Sequence, residues 1–105
     1  MTLKELQEEV DKWAQQFETP YWPPLEQMAN LSEEVGEVAR VLNRMYGHKQ
    51  AKTEEEIRQL SDELVHALFP IICIANGQHI DLQTAWERMI QERLYQRDKD
   101  RYQKK

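Results

Sequence analysis

The 105-residue chain contains one cysteine, three glycines and four prolines. Cys73 has no second cysteine to pair with, so an intrachain disulfide is excluded and a reducing interior is the expected compartment. So little glycine and proline leaves little material for loops. No apolar run approaches the roughly 20 residues that a membrane-spanning helix needs, so no membrane partner is expected. The opening MTLKELQEEV is charged and lacks the apolar centre of a secretory signal, which points to the cytoplasm. Positive charge is also short. Fourteen Lys and Arg face nineteen Asp and Glu, for a formal net charge of −5. A basic surface for nucleic-acid polymers is therefore disfavoured. Strand patterns, a Gly-rich phosphate loop and low-complexity segments are missing as well.

What the chain does have is charge interleaved with apolar residues, 31% charged against 40% hydrophobic. That texture predicts helices rather than disorder. Length predicts one domain over residues 1–105. A core this small is thin, and association would help it.

Four helices are expected. Thr2 and Glu5 form a capping-box pattern, and Leu3, Leu6, Val10, Trp13 and Phe17 mark one face of the first. It ends before ETPYWPP, residues 18–24, whose prolines forbid continuation. Pro24 suits an early position of the second helix, which carries Leu25, Met28, Leu31, Val35, Val38, Leu42 and Met45 and stops around Gly47. GHKQAKT, residues 47–53, reads as a polar connection. Thr53 with Glu56 opens a third helix that is apolar on nearly every side through Ile57, Leu60, Leu64, Ala67, Leu68, Ile71 and Ala75, ending near Gly77. Asp81 caps a fourth with Leu82, Ala85, Met89 and Leu94 on one stripe, and RDKDRYQKK is a polar tail. The expected fold class is all-α, an antiparallel four-helix bundle.

Two helices carry polar residues where apolar ones are expected. In SEEVGEVAR, residues 32–40, Glu34 falls about 60° from the centre of the apolar face and Glu37 about 60° further round, with Glu33 farther out. In DELVHALF, residues 62–69, Glu63 and His66 take the same two offsets to the same side. Two i, i+3 pairs with matched offsets can converge across a helix–helix interface. Three carboxylates gathered there repel one another and resist desolvation, and a divalent cation with hard oxygen ligands removes both penalties. The plainer reading makes them boundary residues, with Glu37 bonded to a surface Arg. Pro70 cannot donate to the His66 carbonyl, so a kink or hydrogen-bond gap is expected at the histidine.

With these motifs the sequence resembles the MazG-type nucleoside triphosphate pyrophosphohydrolases of the all-α class, in their short single-domain form, over essentially the whole chain. Glu33, Glu34 and Glu37 reproduce the family's E-E-x-x-E, and Glu63-x-x-His66 its E-x-x-D, with histidine in place of aspartate. PPLEQMANLSEEVGEVAR, CIANGQHIDL and RDKDR also match the family's surroundings. The resemblance implies hydrolysis of nucleoside triphosphates, often deoxy or noncanonical, to the monophosphate and pyrophosphate. It implies Mg²⁺ as cofactor and assembly as a dimer or a pair of dimers. Glu34, Glu37 and Glu63 would hold the metal together with His66, while Glu33 and Glu34 serve catalysis, Glu33 by orienting or activating the water. Arg97, Lys99 and Arg101 would contact phosphate, Asn76 would lie near the nucleotide, and Trp22 or Tyr21 would stack on a base. Alternatively, Arg97, Lys99 and Arg101 form a solvated tail, Asn76 caps the third helix, and both aromatics pack on the bundle. The histidine removes a charge and a hard ligand, which favours Mn²⁺ or a softer metal over Mg²⁺. Three alternatives to a fully active hydrolase follow from it: an impaired nucleotide-binding relative, a helical interaction module, and a carboxylate-bridged di-iron protein built on Glu-x-x-His pairs.

Overall fold

The structure is a computed structural model that describes residues 1–47 and 53–105. Most of the expected connection at residues 47–53 lies outside the described residues. Among them every regular element is helical: α1 (Leu3–Ala14), α2 (Pro24–Tyr46), α3 (Glu54–Gly77), α4 (Leu82–Met89) and a π-helical segment (Ile90–Arg97). None of these helices is long and apolar enough to cross a membrane.

Caps read from sequence hold the helix starts. Thr2 Oγ1 accepts from the Glu5 amide while the Glu5 carboxylate accepts from the Thr2 amide, which closes both arms of the box. Thr53 accepts from the Glu56 amide at 3.2 Å, but the Glu56 side chain turns instead to Arg44, 3.5 Å away. Asp81 accepts from the Gln83 and Thr84 amides. At the other end of α2, Gly47 donates to the Asn43 carbonyl at 2.7 Å, and a Cβ at this position would collide with that same carbonyl.

Two expectations need correction, and one at Pro70 does not. α1 stops at Ala14 rather than at Phe17, because Gln16 and Phe17 bond three residues back and tighten the chain out of α geometry. Phe17 nevertheless stays on the same surface, edge-on to Trp13 at 5.0 Å, and Trp13 in turn meets Phe69 at 5.9 Å. α3 runs from Glu54 to Gly77 through Pro70, whose side chain is fully buried, and the hydrogen-bond gap expected at the His66 carbonyl stands because proline has no N–H to donate. The fourth helix changes winding after Met89. Met89 and Leu94 are five residues apart, about 140° off a common α-helical stripe, but π winding bonds i to i+5 and aligns them.

α2 and α3 form the main interface. Arg44 reaches Gln59 at 2.5 Å and His66 faces Glu34, so the two helices run antiparallel. α1 packs on α3 and α4 packs on α1, while the π segment continues directly from α4. One chain therefore does not close the four helices around a common centre. The buried core is correspondingly small: Ala14, Val41, Met45, Pro70, Ile72, Cys73 and Ala75, with Gln27 as its polar member. Leu25, Met28, Val35, Leu42, Ile57, Leu64 and Ile71, expected to face inward, are exposed.

Candidate metal centre

Antiparallel pairing of two helices with matched polar offsets places Glu34 of α2 against Glu63 and His66 of α3. His66 Nδ1 lies 3.5 Å from Glu63 Oε2 and 3.9 Å from Glu34 Oε2. One ligand atom from each of the three residues falls within 4.8 Å of the others. Glu63 is the most enclosed, with 14% of its side chain exposed, against 26% for Glu34 and 58% for His66. The cluster is thus rooted in the helix interface and open on its imidazole side.

The donor set suits a cation. Two carboxylates and an imidazole offer oxygen and nitrogen ligands to a divalent ion and relieve the repulsion between two neighbouring glutamates. Glu37 stands one turn from Glu34 but is held by Arg40, whose Nη2 and Nε donate to Glu37 Oε2 at 2.7 and 3.0 Å. This is the boundary arrangement that the plainer sequence reading described. Glu33 is exposed and has no hydrogen-bond or ion-pair partner among the described residues.

The other residues singled out from sequence lie elsewhere. Asn76 is a joint between elements: its Nδ2 donates to the Gln7 carbonyl and to the Tyr21 hydroxyl, both at 3.0 Å, and its Oδ1 accepts from Gln7 Nε2 at 2.9 Å. Tyr21 belongs to the same joint and donates to Asp11 at 2.5 Å. Arg97, Lys99 and Arg101 are exposed at the end of the π segment, and Asp98 gathers Arg97 at 3.0 Å and Arg101 at 3.5 Å. That pairing holds the Asp98 carboxyl below the usual carboxylate range. Trp22 lines an open cavity of about 340 Å³ together with Trp13, Phe17, Gln27, Asn30 and Phe69. Gln27 escaped sequence reasoning because a glutamine beside an apolar stripe gives no local signal of burial. Its place three residues before Asn30 and seven before Glu34, on the same helix face, was the clue available.

Comparison with known proteins places the chain in a family. The family model described as "MazG nucleotide pyrophosphohydrolase domain" matches residues 23–102. The uncharacterised YpjD protein of Bacillus subtilis (strain 168) is 40% identical over 104 residues, covering 99% of this chain and 93% of its own. A Bacillus-conserved MazG protein, described as a nucleotide pyrophosphohydrolase, has a solved structure that superposes with a TM-score of 0.75 at 40% identity, covering 88% of each chain. The crystal structure of YpjD from Bacillus subtilis gives a TM-score of 0.79 at 39% identity, covering 89% of this chain and 95% of that one. The chain belongs to the MazG nucleotide pyrophosphohydrolase family and is an enzyme of that class.

Proposed function

We propose that the chain hydrolyses nucleoside triphosphates, deoxy and noncanonical ones included, to the monophosphate and pyrophosphate, with Glu34, Glu37, Glu63 and His66 holding a divalent cation. The convergence of Glu34, Glu63 and His66 in a chain of this family carries the reading. When bound, the cation supplies charge neutralisation for the triphosphate and a more acidic water. Glu37 joins by releasing Arg40. Their pair is 44% and 57% exposed, and exchange of so open an ion pair costs little. Glu33, unpartnered on the neighbouring position of α2, orients the water and accepts its proton as the bond between the α- and β-phosphates breaks. Glu34 serves that reaction from the cation's side of the cluster. Arg97, Lys99 and Arg101 stand at and just beyond the end of the π segment that continues α4, so assembly as a dimer or pair of dimers gives them a route to the phosphates bound by a second copy. Trp22 stacks on the base, and Asn76 acts by fixing α3 near the nucleotide.

His66 sets the metal preference. An imidazole in place of a carboxylate lowers the negative charge and softens the ligand set, which shifts preference from Mg²⁺ towards Mn²⁺. The test offers purified protein a panel of dNTPs and NTPs with each metal and measures monophosphate and pyrophosphate. Turnover is expected to be faster with Mn²⁺, His66→Asp is expected to move the preference towards Mg²⁺, and Glu63→Gln is expected to lower kcat by about 100-fold or more. Absence of turnover from every pair, in the native chain and in His66→Asp alike, overturns the reading.

A further inference from the structure

Gln27 is 7% exposed, yet its carboxamide has no hydrogen-bond or ion-pair partner among the described residues. Its amide atoms are not sealed from solvent, so the group is free to hydrogen-bond whatever enters the cavity that it lines. That aromatic cavity lies beside the metal centre, with the half-buried Asn30, also unpartnered among the described residues, one turn along. Gln27, Asn30 and Glu34 share one face of α2. By helical rise, Asn30 lies about 6 Å and Gln27 about 10 Å from the level of Glu34. His66, Phe69 and Cys73 repeat the spacing on α3, and Phe69 and Cys73 line the cavity one and two turns along from the acidic cluster. That span is the one between the phosphates of a nucleotide and the edge of its base.

The cavity is chemically neutral. Its walls are the rings of Trp13, Phe17, Trp22 and Phe69, which suit stacking on any base. Burial pushes the Cys73 thiol up, so it remains uncharged at neutral pH. Stacking alone reads no sequence. A carboxamide places an acceptor beside a donor and matches a base edge that presents an adjacent donor and acceptor.

We propose that Gln27, assisted by Asn30, is the specificity-determining residue of the nucleotide site, hydrogen-bonding the edge of a neutral base stacked between the aromatic walls. This rests on the nucleotide pyrophosphohydrolase reading above. Because the amide can rotate to present either group, it accepts both amino-bearing and keto-bearing bases and rejects those whose edge cannot hydrogen-bond.

Gln27→Leu and Gln27→Glu test it. Gln27→Leu is expected to raise KM about tenfold for standard nucleotides with kcat nearly unchanged, and to leave turnover of a triphosphate bearing a non-hydrogen-bonding base unaffected. Its thermal midpoint should hold, since the amide makes no hydrogen bond to the described residues, whereas a structural role for Gln27 predicts a fall. Gln27→Glu, which only accepts when ionised, should favour amino-bearing over keto-bearing bases. Binding of nucleoside monophosphates without metal, followed by tryptophan fluorescence, separates the two readings. A native chain without turnover overturns the hydrolase. Monophosphate affinity and base ranking that survive both substitutions overturn the role of Gln27.

Discussion

At the scale of the residue, the Tyr21 hydroxyl shows how one polar group ties the segment before α2 into the fold. It donates to Asp11 and accepts from Asn76. Burial, followed by the Asp11 carboxylate that takes its hydrogen bond, pushes the Tyr21 hydroxyl up to about 12. The same bond, helped by Gln15, holds the Asp11 carboxyl below its ordinary value of 3.8. The two groups act on opposite limbs of the pH profile. Asp11, depressed in the folded state, contributes stability that is present above pH 3.8 and is lost as pH falls through its lowered value. Tyr21, raised, contributes stability that is present below pH 10.0 and is lost as pH rises towards about 12. Tyr21→Phe is therefore expected to lower stability near pH 7 by about 1 kcal/mol and to flatten both limbs. Urea unfolding followed across pH 3 to 11 measures both effects, and a parallel shift at every pH would contradict this account.

At the scale of the element, α3 is held from two sides by different means: α2 along its length, and α1 through the Trp13–Phe69 ring contact and a polar joint at Asn76. Asn76→Ala removes three hydrogen bonds and leaves Gln7 and Tyr21 short of partners. A loss of about 2 to 3 kcal/mol is expected from thermal or urea unfolding. Turnover per folded molecule should stay within about threefold, because Asn76 positions helices rather than substrate. A loss of turnover without a loss of stability would return Asn76 to the nucleotide. Helix identity and starting caps were legible in the sequence because caps and periodicity are local. The convergence of Glu34, Glu63 and His66 was legible for a related reason, since two helices carried the same polar offset and needed only to pair. Asn76 was not legible as a joint, because nothing local says that Gln7 and Tyr21 converge on it. Glu37 carried both readings from the start, and Arg40, one turn away, decides which is seen. The π winding after Met89 stayed hidden because the stripe was read with an α-helical period, and Leu94 is exposed.

At the scale of the whole molecule, the chain is open for its size. Its radius of gyration is 17.2 Å, where a compact chain of this length has about 13 Å. Its accessible surface is 8559 Å², roughly 2,300 Å² more than expected for a 12.6 kDa monomer. Much of that surface is apolar. Leu64, Val65, Leu68 and Ile71 are exposed on the central helix, and Leu6, Val10 and Trp13 of α1 share an apolar groove with Val65 and Leu68. A stable interface removes about 800 Å² from each partner, so the excess can supply more than one. The proposed dimer or pair of dimers would therefore complete the bundle that a single chain leaves open. Sedimentation equilibrium is expected to give a mass at least twice 12.6 kDa at micromolar concentration. Leu68→Glu places a charge on the groove and should shift the population towards monomer, with a loss of thermal stability that more protein partly restores. If Arg97, Lys99 and Arg101 reach phosphates held by a second copy, turnover falls with the dimer population, faster than the folded fraction does. A native chain that sediments as a monomer at these concentrations, yet turns over nucleotide at undiminished rate on dilution, would place every catalytic group within one copy and require another account of the exposed apolar face.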